Sequence, residues 1–172
     1  MQQESFLIAV AQIAVSLAGF SGLVIAIRGA PSARWHARDV WSLAWMLGTS
    51  LGALFLALLP LLFGLFRLNQ TLLWRFGTLV MAVFMLGFGL AMALSGLRLT
   101  RLGHQARVRY FPTLATGSVM GVGLLVGATA VGMRPDLRIG LYATGLLTCL
   151  LVSALSLVVF LVVLARAARP MP

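Results

Sequence analysis

Gln12 and Ser16 stand four residues apart in a stretch, Phe6–Ile27, that carries no ionisable side chain. On a helix, residues three and four apart share a face, so Ser5, Ala9, Gln12, Ser16 and Gly19 form a small, polar stripe, with Glu4 beside its start. Phe6, Val10, Ile13, Leu17, Phe20, Val24 and Ile27 form a second stripe, bulky and apolar, about 100° around the same helix. An amide and a hydroxyl repeated along one face can do two kinds of chemistry. They can bond across a helix interface, each bond contributing about 0.6 to 2 kcal/mol, or line a water-filled path, with Glu4 forming an acidic ring near its mouth. An amide turned to lipid is unfavourable, so the stripe is expected to meet protein or water.

Soft-metal chemistry is the second candidate. Met81, Met85, Phe88 and Met92 share a face, and thioethers on successive turns can pass Cu(I). Met81 and Met85, with a glycine pair on the following helix, resemble the MxxxM plus GxxxG arrangement of trimeric Ctr-type copper transporters. That resemblance implies copper transport, which is carried as a minor alternative. It covers those residues alone: five spans are predicted here against three in that family, and neither a methionine-rich tail nor a terminal Cys/His cluster is present. The methionines are read as adaptable packing.

Other chemistries lack their residues. His36 and His104 fall in connecting segments with no carboxylate or cysteine at ligand spacing, so no metal site is expected. There is no Ser/His/Asp set and no phosphate-cradling glycine loop, and Glu4, Asp39 and Asp136 are too few for a metal-dependent lipid transferase. Neither aspartate lies centrally in a span, where a proton relay needs one. The expectation is a protein without catalytic residues, metal or cofactor, and not an enzyme.

The elements that position these residues follow from where charge is absent. Phe6–Ile27, Val40–Phe66, Leu72–Leu97, Pro112–Met133 and Ile139–Ala165 are nearly free of ionisable groups, and each is long enough to cross a hydrocarbon core as a helix. Lipid leaves backbone groups no water to bond, and continuous apolar runs favour helices over the alternation of a barrel. With 61% hydrophobic and 9% charged residues in a chain of 172, the spans consume nearly all of it. The predicted fold is therefore all-α: one polytopic transmembrane domain, residues 1–172, a bundle of five transmembrane helices (about 6–27, 40–66, 72–97, 112–133 and 139–165) with short loops.

All 13 basic residues are arginines, giving a net charge of +10. In a soluble chain this would suggest nucleic acid; here the arginines flank spans, where they meet anionic headgroups, and no nucleic-acid partner is expected. Arg28, Arg34, Arg38, Arg98, Arg101, Arg107, Arg109, Arg166 and Arg169 fall on one side, and Arg67, Arg75, Arg134 and Arg138 on the other. The richer side is expected to be cytoplasmic, with the N-terminus outside and the C-terminus inside a plasma membrane of bacterial inner-membrane type. The first span has no basic n-region and no convincing cleavage site, so it is expected to stay in the protein. Trp35, Trp41 and Trp45 read as an aromatic belt at one interface and Trp74 at the other. Arg75, one turn into its helix, is expected to snorkel outward, and Cys149 to lie inside the fifth helix.

Short connections make helices two and three, and four and five, antiparallel neighbours. Pro60 removes a backbone donor near the end of the second helix, where a kink is expected. Gly48/Gly52, Gly117/Gly121 and Gly123/Gly127 are spaced for close helix packing, the last two pairs on different sides of helix four. Together these features point to a homo-oligomer in contact with membrane lipids. The expected function is a passive channel or pore for an ion or small solute with helix 1 facing the conduction path. The alternative is a non-catalytic accessory or scaffold subunit of a larger membrane complex.

Overall fold

The computed structural model describes residues 2–28, 37–66, 69–103, 110–132 and 135–167. They form α1 (Gln2–Arg28), α2 (Ala37–Leu65), α3 (Gln70–Arg101), α4 (Phe111–Ala130), a 3-10 turn (Pro135–Leu137) and α5 (Arg138–Ala167). The fold is all-helical, and five helices are long and apolar enough to span a membrane. Trp35, His36 and His104, with Arg34, Arg67, Arg107, Arg109, Arg134 and Arg169, lie outside the described residues.

The helices α2, α3, α4 and α5 close a ring in which each packs on the next, and α3 meets α5 across the middle. Among the described elements, α1 packs only on α2 and α5, so it stands outside the ring. It buries Leu7, Val10, Ala11, Ala14, Ser21 and Val24 there. The ring encloses Trp45, Leu56, Met81, Met85, Val119, Val126, Tyr142, Leu146 and Cys149, all fully buried.

Three glycine pairs, spaced alike, have three environments. Gly48 and Gly52 on α2 give room to the rings of Phe88 and Phe84, and a methyl group added at either would run into them. The two rings stack nearly parallel, 5.6 Å apart. Gly123 and Gly127 draw α4 onto α3: an added Cβ would lie 3.0 Å from Met85 Cβ and 3.5 Å from Ala82 Cβ, respectively. Gly117 and Gly121 face away, with nothing within 4 Å of an added Cβ.

Polar groups fix the register between helices. Ser50 and Ser153 share a hydrogen bond of 2.6 Å, and Ser153 Oγ also lies 3.1 Å from the Met46 carbonyl, joining α2 to α5. Asn69 caps α3, its side chain accepting from Thr71 N–H at 3.1 Å. At the end of α4, Gly132 takes a left-handed φ of +109° and stops the helix, three residues before the apolar run ends. The last carbonyls of α4 then need donors. Arg138 donates to Thr129 O and Arg75, through Nε, to Ala130 O, each at 3.2 Å.

Two expectations change here. The Trp41 and Trp45 side chains are not interfacial: both are buried. Trp41 Nε1 donates to Ser95 Oγ at 3.1 Å, and Trp45 meets Phe88 edge-on at 5.3 Å. Four-residue spacing put both indoles on the inward face of α2, where ring area is buried against α3. Arg75 does more than snorkel: although its residue is exposed, it caps a neighbouring helix, the favoured place for a cation because the dipole's negative end lies there.

Candidate functional site

The polar stripe of α1 faces directly away from its own bundle. Each residue turns a helix by about 100°, which sets Ser5, Ala9, Gln12, Ser16 and Gly19 roughly opposite the buried Leu7, Val10, Ala11 and Ala14. All five stripe residues are exposed. Ser16 Oγ bonds back to the Gln12 carbonyl at 2.9 Å, whereas the Gln12 amide projects from the surface. The bulky stripe straddles the edge of the interface: Val10 and Val24 are buried, Phe6 and Leu17 half-buried, Ile13 and Phe20 exposed.

Glu4 does not continue the stripe. It stands about 100° from it on the helix, on the wall of a crevice of about 840 Å³. This crevice lies where α1 and α3 begin and α2 ends, between Gln3, Glu4 and Leu7 of α1, the segment of α2 around Pro60, and Gln70, Leu73 and Trp74 of α3. A smaller cavity of about 170 Å³ continues beneath α1 toward Tyr142 and Ile139 of α5. Both spaces share Gln3, Leu7 and Trp74, and Trp74 meets Tyr142 edge-on at 5.6 Å.

Among the described residues, the interior of the ring offers no comparable polar surface. Thr49, Thr78, Thr129 and Ser156 each donate to a carbonyl of their own helix, and Tyr142 to Leu56 O. Trp45 Nε1 and Arg138 Nε are buried without hydrogen-bond partners. The thioethers of Met81 and Met85 converge on Gly145 of α5 within the packed core. Among the described residues no group of three His, Cys, Asp or Glu side chains could hold a metal.

Sequence reading missed two groups. From the sequence Arg138 reads only as a topological charge, yet it is buried at the start of α5. Tyr142 had a readable signal: Pro60 cannot donate to the carbonyl four residues before it, so Leu56 O needed a donor from another helix. No protein-family model, curated protein or solved structure matches this chain.

Proposed function

We propose that this protein self-associates in the membrane and that copies of α1, arranged around a common axis, line a passive path for an ion or small solute. The observation that supports this reading is the outward exposure of Gln12 on a face it shares with the exposed Ser5, Ala9, Ser16 and Gly19. Within a single chain, the described interior of the ring is filled by apolar groups and by hydroxyls bonded to their own or a neighbouring helix. A path built from this sequence is therefore assigned between chains. Gln12 and Ser5 supply polar lining, Ala9 and Gly19 leave room, and Glu4 lies to one side near the mouth.

One observation favours a second reading, a docking face in a larger membrane complex. Ser16 is already bonded within α1, as it would be on a packed surface. Gln12→Leu in proteoliposomes separates the two. A pore loses or changes flux while its assembly persists; a docking face shows no flux in either form and loses association.

A further inference from the structure

The crevice and the cavity beneath α1 have the size of a ligand site, and their chemistry is divided along their length. Such sites usually measure about 300 to 1,000 Å³ and are mostly apolar, with a few placed polar groups. Here the apolar wall comes from the last two turns of α2, with Leu73 and Trp74 of α3 and Leu7 of α1. The polar groups gather at one end, where Gln3, Glu4 and Gln70 lie in the first turn or so of α1 and α3. That end lies at the boundary of the spans, and the smaller, mostly apolar cavity runs from Gln3 beneath α1 to the first turns of α5 at Ile139, Tyr142 and Ala143.

We infer that this space holds one phospholipid by an acyl chain, with a headgroup bearing a primary ammonium at the Gln3, Glu4 and Gln70 end. The chain lies against Leu7, Leu73 and Trp74, where apolar area leaves the surrounding lipid for a shaped wall. The headgroup is selected by charge: a carboxylate attracts an ammonium and repels a headgroup that carries only phosphate, while the two amides can donate to phosphate oxygens. Trp74, half-buried at the junction of both spaces, suits the depth at which headgroup and chain meet.

Gly64 provides a test that spares the fold. It lines the crevice, and a Cβ built on it meets nothing within 4 Å, so Gly64→Phe fills the space without disturbing a packed contact. The experiment is native mass spectrometry of the full chain, extracted from bilayers of equal phosphatidylethanolamine and phosphatidylglycerol with matched acyl chains. The wild type is expected to retain one phosphatidylethanolamine per chain; Gly64→Phe loses it with an unchanged thermal midpoint. Glu4→Gln keeps a lipid, with the preference for the amine headgroup reduced about fivefold, the scale of a partly exposed ion pair. Equal retention by wild type and Gly64→Phe would mean annular lipid only and overturn the site. Preferential retention of phosphatidylglycerol by the wild type would overturn the headgroup assignment.

Discussion

The Tyr142 hydroxyl on α5 donates to the Leu56 carbonyl on α2 at 2.5 Å, the acceptor that Pro60 leaves without its helical N–H. A proline inside a spanning helix exposes a carbonyl to a medium without water, and a neighbouring helix must satisfy it. One residue of α5 thus makes a proline in α2 tolerable and ties the two helices together.

Tyr142→Phe removes that donor and leaves a buried acceptor, costing about 1 to 3 kcal/mol. Pro60→Ala restores the N–H, so Tyr142→Phe is expected to cost markedly less in that background. Thermal unfolding in detergent of the wild type, both single variants and the double variant measures this. Equal costs in both backgrounds would contradict the relationship.

The two arginines at the end of α4 should differ in weight. Arg138 is buried and Arg75 exposed. Arg138→Met removes the side-chain donor of the two on the Thr129 carbonyl, leaving Gly132 N–H at 3.2 Å, and is expected to cost about 1 kcal/mol, and Arg75→Met less than that. Hydrogen exchange at the end of α4 should quicken more in the first variant, and a larger effect from Arg75 would contradict the assignment.

Gly52→Ala forces the stacked Phe84 and Phe88 rings to move and should destabilise the chain by about 1 to 3 kcal/mol; Phe84→Leu in the same chain should recover part of that loss. Gly117→Ala meets nothing within 4 Å and is expected to leave unfolding within about 0.5 kcal/mol of the wild type or slightly above it. Parallel melting curves check both.

Ser50→Ala and Ser153→Ala should be non-additive, with a coupling of about 0.6 to 2 kcal/mol, because their hydroxyls lie 2.6 Å apart across α2 and α5. A double-mutant cycle on unfolding tests it, and simple additivity would contradict a shared bond.

The helices were legible because long stretches without charge have the length and apolarity of spanning helices. The order of packing was not. Gly48/Gly52, Gly117/Gly121 and Gly123/Gly127 have identical spacing, yet one pair admits rings, one admits a neighbouring helix and one meets nothing. Spacing fixes which residues share a face, while the partner of that face depends on every other helix. Trp41 and Trp45 were misread for the same reason, since an indole near a helix end can turn either to the interface or inward. The stripe on α1 was readable as a surface of its own kind. Glu4 was placed with it by proximity in sequence, although a helix turn carries it to another side.

The most direct measurement is cysteine accessibility along α1 in the assembled protein, in a Cys149→Ala background, using a membrane-impermeant thiol reagent. A lined path predicts labelling at positions 5, 9, 12, 16 and 19, with Val10, Ala14 and Leu17, on the face packed against the bundle, protected. Protection of the five stripe positions to the same degree as Ala14 would contradict a water-filled path along α1.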